Sequence, residues 1–140
     1  LAFYLAKFMA EYFEKVTDKK DFEVVPVPIY FTREKKRKYN HMNLVGEEFC
    51  RITTNTLNCG LIKRIKDTKP QYKLKRQERI KNLADAFKVD KSKYNGKTLL
   101  LIDDICTTGS TFEEMIKEFE KNGIKDIICL AATTPFDEKP

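Results

Sequence analysis

The chain has 140 residues, 41% of them hydrophobic, and its 27 Lys and Arg outnumber its 21 Asp and Glu to give a formal charge of +6. This length predicts one domain over residues 1–140, and the low content of 5 Gly and 5 Pro excludes a collagen-like or Pro/Gly-rich disordered chain. No apolar run is long enough to cross a bilayer and no secretory pattern is present, so we expect a cytoplasmic protein, either free or at the inner membrane face, without membrane insertion.

The first half of the chain predicts two amphipathic helices separated by a strand. Apolar residues recur at helical spacing over residues 1–16, and a second helix is expected from the cap residue Asn40 to about residue 57. Between them, residues 24–30 form a short apolar, β-branched run. Pro26 and Pro28 within this run lack the backbone N–H, so the strand should lie at a sheet edge or carry a bulge.

The second half predicts a β-α-β unit. Residues 98–102 are continuously apolar, a helix carrying Phe112 and Phe119 should end at Gly123, and residues 127–132 form a second apolar strand. Two further strands and a turn are expected before this unit, with a long polar connection between the two strands: residues 61–65, residues 84–89 and the turn 94–97. The predicted fold class is therefore α/β, with a mostly parallel sheet flanked by helices.

The four cysteines have no C-x-x-C spacing, which argues against a zinc site within this chain. A domain of this size with its own core needs no disulfides, and we expect reduced thiols. Cys50, Cys59 and Cys129 should act as small core residues, and Cys106 should be a neighbour of the loop discussed below.

The positive charge is concentrated in two stretches. Residues 33–38 carry a net charge of +4 and residues 61–81 a net charge of +7, which leaves −5 on the rest of the chain. Solvated surface charge is one interpretation. Two dense basic runs in an otherwise acidic domain also suggest a place where phosphates bind, on a small molecule or along a nucleic-acid strand.

The segment after the strand 98–102 has the composition of a phosphate site. Ligands of parallel α/β sheets bind beyond the carboxyl ends of the strands, and a helix N-terminus offers unpaired N–H groups to an anion. Asp103 and Asp104 can accept hydrogen bonds from a sugar diol, and Gly109 lets the backbone approach a ligand. A diol beside a phosphate indicates a ribose 5-phosphate. A turn followed by a polar helix start is the alternative.

The sequence L-L-L-I-D-D-I-C-T-T-G-S-T resembles the phosphoribosyl pyrophosphate (PRPP) binding motif of type I phosphoribosyltransferases. V-P-V-P followed by Arg33, Arg37, Tyr39 and Asn40 resembles the signature of the ComF/GntX competence-protein family. The resemblance covers roughly residues 22–134 and includes a spaced pattern further along the chain: Arg64, Thr68, Gln71, Leu74, Arg79, Asn82, Ala86 and Phe87.

This resemblance implies roles for individual residues. Asp103 and Asp104 would hold the ribose hydroxyls, and the 5-phosphate would be bound by Thr107, Thr108, Gly109, Ser110 and Thr111. Mg²⁺ would arrive with PRPP, without a metal site of the protein's own. Arg33 and Arg37 are the candidates for binding pyrophosphate. The connection 61–81 resembles the mobile catalytic loop of these enzymes, which would bring in three catalytic candidates: Lys75, Arg76 and Arg79.

Two positions depart from the family pattern. Lys38 stands where the family has glycine and His41 where it has glutamine, and we interpret His41 as a helix-start residue instead of a catalytic base. Many family members carry an N-terminal zinc module. Because this chain opens on Leu1 and lacks that module, we expect an N-terminally truncated chain, with zinc confined to the missing part.

The resemblance supplies no acceptor for a transferred ribosyl group. A second hypothesis is therefore a non-enzymatic module that binds single-stranded DNA through the same basic runs, with aromatic side chains stacking on bases: Tyr30, Phe31, Tyr39 and Tyr72. A third is a partner module for a competence helicase.

Overall fold

Four parallel strands form the central sheet of the computed structural model, which describes residues 1–18, 21–30, 40–66, 75–106 and 108–133. The helices are α1 (Ala2–Val16), α2 (His41–Thr53), α3 (Arg76–Leu83) and α4 (Ser110–Lys121), with a 3₁₀ turn at Lys91–Lys93. The strands are β1 (Glu23–Pro26), β2 (Thr56–Leu57), β3 (Ile62–Arg64), β4 (Phe87–Val89), β5 (Leu99–Ile105) and β6 (Ile127–Thr133). The sheet order is β2-β1-β5-β6, and β3 and β4 form a separate antiparallel pair.

Helices cover both faces of the parallel sheet, which explains the continuous apolar run of β5. Leu99 and Leu101 belong to one core cluster with α4 and the β3–β4 pair. Leu100 and Ile102 belong to a second cluster with α1 and α2. Since side chains alternate between faces along a strand, a strand buried on both faces must be apolar at every position. The predicted α/β class with a mostly parallel sheet is confirmed.

The helix predicted over residues 1–16 is present as α1, but its apolar residues divide between two faces. Ala6, Met9 and Phe13 are buried against the core, whereas Phe8 and Tyr12 are exposed. No helix within the described ranges is long and apolar enough to span a bilayer.

The prediction that β1 is an edge strand or bulged is wrong, because β1 pairs with β2 on one side and with β5 on the other in continuous register. The N–H groups of Glu23 and Val27 point to the β5 side, where they donate to backbone carbonyls at 2.9 Å. Alternate residues point the other way, so Pro26 faces the side of β2. The two-residue β2 pairs only with Glu23 and Val24, and a proline beyond that point removes no ladder hydrogen bond.

The structure differs from the prediction in three further respects. Helix α2 ends at Thr53, short of residue 57, because Thr54 takes a left-handed conformation and the chain continues into β2. The long polar connection expected between the two strands contains α3, and Leu83 at the end of this helix is fully buried. Cys59 and Cys129 are exposed, so the expectation that they serve as core residues is wrong, whereas Cys50 is buried.

Candidate functional site

A cavity of about 500 Å³ opens at the carboxyl edge of the sheet, between the ends of β1 and β5. From β1 the chain crosses through α2 to β2, and from β5 it crosses through α4 to β6 in the opposite direction along the sheet. The two helices therefore lie on opposite faces, in different core clusters. The cavity therefore lies at the point where the connections leave the sheet in opposite directions, which is where open α/β sheets bind ligands. Its lining combines the segment after β1, the start of α2, the end of β3 and the β5–α4 loop.

Asp103 and Asp104 lie within the last three residues of β5, not in a loop after it, because the strand continues to Ile105. Asp103 Oδ1 accepts a hydrogen bond from the Asp104 N–H at 2.8 Å, and Asp104 Oδ1 accepts one from the Ile105 N–H at 2.8 Å. These local bonds fix the rotation of both carboxylates. Both residues line the cavity. Their role as acceptors of a sugar diol stays a prediction.

Burial, together with the neighbouring Asp104, raises the pKa of Asp103 to about 7, and the positive charge of Arg64 acts in the opposite direction. The charged form of this carboxyl is therefore less favourable than that of an exposed aspartate. Carboxyl groups with such raised pKa values concentrate at functional sites, because removing a charge from water is unfavourable unless a ligand or cation compensates it.

The β5–α4 loop brings a hydroxyl-rich turn to the start of α4. The Thr108 and Ser110 hydroxyl oxygens are 2.7 Å apart, and the Ser110 N–H donates to Thr108 Oγ1 at 3.3 Å. Gly109 has a φ of 83°, a conformation that side-chain-bearing residues rarely adopt. The first N–H groups of a helix have no intrahelical partner, and here the residues that carry them, Ser110 to Phe112, line the cavity.

Cys106 packs beside this loop, with its N–H donating to the Thr133 carbonyl at 3.1 Å. Burial raises the pKa of its thiol. A neutral thiol is a poor nucleophile, which agrees with its interpretation as a neighbour of the site.

Two further cavity residues were not predicted as site residues. Arg64, the last residue of β3, lines the cavity, as does Asn40, whose side chain accepts a hydrogen bond from the Met42 N–H at 2.9 Å at the start of α2. The alternation of side chains along β3 is the sequence signal for Arg64. Arg64 lies two residues after Ile62, which is buried, so both side chains point to the same face of the strand. His41 begins α2, as predicted, and also lines the cavity.

Several predicted site residues either lie outside the described residues or do not line the cavity. Arg33, Arg37 and Thr107 lie outside the described residues, as do Phe31, Tyr39 and Tyr72. Lys75 is exposed and precedes α3, with its N–H donating to Glu78 Oε1 at 2.8 Å, and it does not line the cavity. Arg76 and Arg79 belong to α3, and their side chains lie outside the description.

Comparison with known proteins defines the class of this fold and site. Residues 2–137 match the phosphoribosyl transferase domain family, and the chain belongs to that family. The solved structure of the allosteric regulatory enzyme of purine biosynthesis superposes with a TM-score of 0.61 at 12% identity, covering 99% of this chain and 27% of that one. At this identity the likeness concerns the fold alone.

The relatives that the chain resembles include competence and DNA utilization proteins. The chain is 36% identical over 107 residues to competence protein F of Haemophilus influenzae, covering 74% of this chain and 46% of the relative. It is 34% identical over 100 residues to competence protein ComFC of Bacillus subtilis, covering 71% and 38%. The DNA utilization protein YhgH of Escherichia coli is 28% identical over 112 residues, covering 79% and 49%. The predicted ComF resemblance is confirmed, and the chain spans about half the length of the first two of these relatives or less.

Proposed function

We propose that this domain binds PRPP and acts as a phosphoribosyltransferase-like module of a protein used in DNA uptake. The observation that carries the proposal is the joint lining of one cavity by the Asp103–Asp104 pair and the N-terminal turn of α4. The first offers acceptors for a ribose diol and the second offers donors for a phosphate. A ribose 5-phosphate carries both groups on one sugar ring.

Mg²⁺ fits this proposal as a cation held mainly by the ligand. Within the described ranges, no group of three or more His, Cys, Asp and Glu side chains could hold a metal. Two carboxylates beside a polyphosphate suit Mg²⁺, which is bound through one or two carboxylates, substrate phosphates and several waters. Asp103 and Asp104 are the residues that would face it, and the ion would reduce the repulsion between them and the ligand phosphates.

A ribosyl transfer would break the bond between the anomeric carbon and the pyrophosphate oxygen, and the leaving group would depart with the bonding electron pair. Negative charge then grows on the pyrophosphate, and cations near it would stabilise the transition state. Arg33, Arg37 and the three candidates Lys75, Arg76 and Arg79 remain the predicted source of that charge. The acceptor stays open.

The decisive experiment is calorimetric titration of the chain with PRPP and Mg²⁺. Saturable binding to the wild type is expected, with a loss of at least about 100-fold in the double variant Asp103→Asn plus Asp104→Asn, since both ribose-facing charges are removed. The matched control is Asp18→Asn plus Asp85→Asn, which neutralises two exposed carboxylates elsewhere. Absence of binding to the wild type, or unchanged affinity of the site variant, contradicts the proposal.

A second candidate function is binding of single-stranded DNA, favoured by the net charge of +7 on residues 61–81 and by the names of the relatives, which refer to competence and DNA utilization. Neutralising one phosphate contact flattens the dependence of log affinity on log salt by about 0.7 for a single strand. Replacing the basic residues in 73–79 by Gln should therefore flatten a steep slope for an oligonucleotide. A flat slope for the wild type would exclude this function.

A helicase partner at the inner membrane face is a separate prediction, tested by pull-down.

A further inference from the structure

The outer face of the β3–β4 pair carries two lysines that lie opposite each other. Lys63 in β3 and Lys88 in β4 are direct cross-strand partners, and both side chains are exposed. Their neighbours along the two strands, Ile62, Phe87 and Val89, are buried, so the pair has one face in the core and one in solvent. Like charges directly opposite each other destabilise a strand pair. The fold therefore keeps an arrangement that reduces its stability.

Protection of open strand edges does not account for these lysines. Edge strands often carry lysines that prevent pairing with another chain. Here β3 is bridged on its outer side by Tyr30, next to Arg64. At β4 the Val89 N–H donates to Glu118 Oε2 at 3.3 Å. Because other parts of the chain already occupy both outer sides of the pair, the two lysines need another explanation.

Two further exposed lysines extend this charge in both directions. Beyond the end of β3, Lys66 donates to the Ala84 carbonyl at 3.3 Å. At the other end the Lys93 side chain lies over Gly60, where an added Cβ would be 3.3 Å from Lys93 Nζ. The four exposed lysines are called the lysine strip: Lys63, Lys66, Lys88 and Lys93.

Asp90 is an acidic side chain that the strip approaches. Its carboxylate accepts a hydrogen bond from the Ser92 hydroxyl at 2.6 Å, and this bond, together with the charges of Lys93 and Lys63, lowers the pKa of Asp90. Asp85, next in the chain to Ala84, pairs with Lys121 at 3.8 Å. The four lysines of the strip and the single charge of Asp90 give a net charge of +3.

The strip suits a single strand of nucleic acid. Lysines distributed along an exposed strand pair are complementary to the evenly spaced charges of a phosphate backbone. Ile65 lies two residues after Lys63, on the same face of the chain, and is 52% exposed. An apolar side chain beside the lysines can contact an unstacked base, whose flat face is open in a single strand and covered in a duplex.

The strip is separate from the ligand cavity but adjoins it. None of its lysines lines the cavity of about 500 Å³ at the carboxyl edge. Lys63 lines a smaller cavity of about 210 Å³, which shares Pro28 and Arg64 with the larger one. A strand bound along the strip would therefore pass beside the larger cavity without filling it.

We propose that the lysine strip binds the phosphate backbone of a single-stranded nucleic acid along the outer face of the β3–β4 pair, with Ile65 against a base. This inference rests on the second candidate function and deepens it. It places the strand on a surface that includes Lys88 and Lys93, which lie outside the basic run 61–81 and join it only in the folded chain.

The test measures fluorescence anisotropy of labelled DNA and RNA strands of about 12 nucleotides, within the usual range of site sizes, over a series of salt concentrations. Lys63→Gln plus Lys88→Gln should weaken both strands at least about tenfold at 0.1 M salt and flatten the dependence of log affinity on log salt by about 1.4, since two phosphate contacts are lost. Lys63→Arg plus Lys88→Arg keeps both charges and should bind within about twofold of the wild type. A duplex of the same length should bind the wild type more weakly than either single strand.

Lys7→Gln plus Lys15→Gln is the matched control. It removes the same two charges from exposed positions on α1, which packs on the other face of the central sheet from the β3–β4 pair. Its affinity for both strands should stay within about twofold of the wild type. Lysine acylation with and without a saturating DNA strand gives a second measurement on the unmodified sequence. Lys63 and Lys88 should be protected, and Lys7 and Lys15 should not.

The outcomes separate this assignment from the function on which it rests. If the wild type binds single strands with a steep salt dependence but the Lys63→Gln plus Lys88→Gln variant binds them equally well, only the assignment to the strip is overturned. Equal losses in the site variant and the α1 control would also overturn it, because net charge alone would then explain the binding. If the wild type binds neither strand, the candidate function fails together with the assignment. PRPP binding with Mg²⁺ should be unchanged in the strip variant, and its loss would show that the strip acts through the cavity.

Discussion

Glu23 and Asp103 are carboxylates on the neighbouring strands β1 and β5, and they differ in burial and in the hydrogen-bond donors that surround them. Glu23 begins β1 at the amino edge of the sheet and has no exposed surface. Its carboxylate accepts hydrogen bonds from Asn58 Nδ2, from the Asn95 N–H at 3.3 Å and from Asn95 Nδ2 at 3.2 Å. Asp103 ends β5 at the opposite edge, is half-buried and faces the cavity.

The difference shows that burial of a carboxylate does not by itself indicate a functional site. Glu23 is supplied with donors from the segments after β2 and before β5, so it ties the amino edge together. Asp103 accepts a hydrogen bond from the N–H of its own neighbour, Asp104, at 2.8 Å, and burial together with Asp104 raises the pKa of Asp103 to about 7. Such a carboxyl reduces stability, and we interpret its presence as a requirement of ligand binding.

The largest expected effect is stabilisation by the ligand at the carboxyl edge. A ligand that binds only the folded state at 100 times its Kd stabilises the fold by about 2.7 kcal/mol. PRPP with Mg²⁺ should raise the Tm of the wild type accordingly and leave the Asp103→Asn plus Asp104→Asn variant unchanged, as measured by calorimetric melting. The Glu23→Gln variant should show the same ligand-induced rise in Tm as the wild type, even if its Tm without ligand is lower. Loss of that shift in Glu23→Gln would show that the two edges are coupled.

Glu23→Gln should destabilise the fold by about 2 kcal/mol, measured by urea unfolding. The substitution keeps the shape but replaces one acceptor oxygen by an NH₂ donor, which would face the Asn58 and Asn95 donors in a buried site. Glu47→Gln, at an exposed position on α2, is the control and should change the free energy of unfolding by less than about 0.5 kcal/mol. A neutral effect of Glu23→Gln would mean that the hydrogen bonds to Glu23 contribute little.

The two edges also offer a matched pair of glycines. Gly109 has a φ of 83° and Gly96 a φ of 85°, and an added Cβ would meet no atom within 4 Å at either position. Substitution of either by Ala should therefore cost only the left-handed conformation, roughly 1–2 kcal/mol. Only Gly109→Ala should also weaken PRPP binding in titration, since Gly109 lines the cavity. Equal affinities of the two variants would argue against phosphate binding at this loop.

The smallest expected effect is a gain of stability. Asp103→Asn should raise the free energy of unfolding at pH 8, because an amide avoids the unfavourable ionisation of this carboxyl in the folded state. The raised pKa of about 7 means that the folded protein binds more protons than the unfolded one between the ordinary value of 3.8 and 7. The contribution of Asp103 to stability is therefore greatest at low pH and is lost as pH rises through this window. Urea unfolding at pH 5 and pH 8 measures it.

The gain in Asp103→Asn should accordingly be larger at pH 8 than at pH 5. A difference between variant and wild type that does not change with pH would show that the carboxyl of Asp103 titrates normally in the folded state.

Parts of the fold with strong local patterns could be predicted from the sequence. The apolar run of β5, the helical spacing of α4 and the stop at Gly123, whose φ is 77°, are local properties, and they were found with boundaries close to those observed. Helix α3 was missed because its sequence is almost wholly polar and only Leu83 is buried among its described side chains. The surface exposure of Cys59 and Cys129 depends on neighbours far away in the chain, which no local pattern contains.

For the candidate site, the sequence by itself determined the chemistry: two carboxylates, a hydroxyl-rich loop and a glycine at the start of a helix, all within residues 103–111. These residues are contiguous, so a local motif contains them. Only the tertiary structure decided that Arg64, on a different sheet, lines the same cavity. It also decided that Glu23 accepts hydrogen bonds from two distant asparagines, whereas Asp103 accepts one from its own neighbour. Both depend on segments that are distant in sequence and are brought together when the two faces of one parallel sheet are buried.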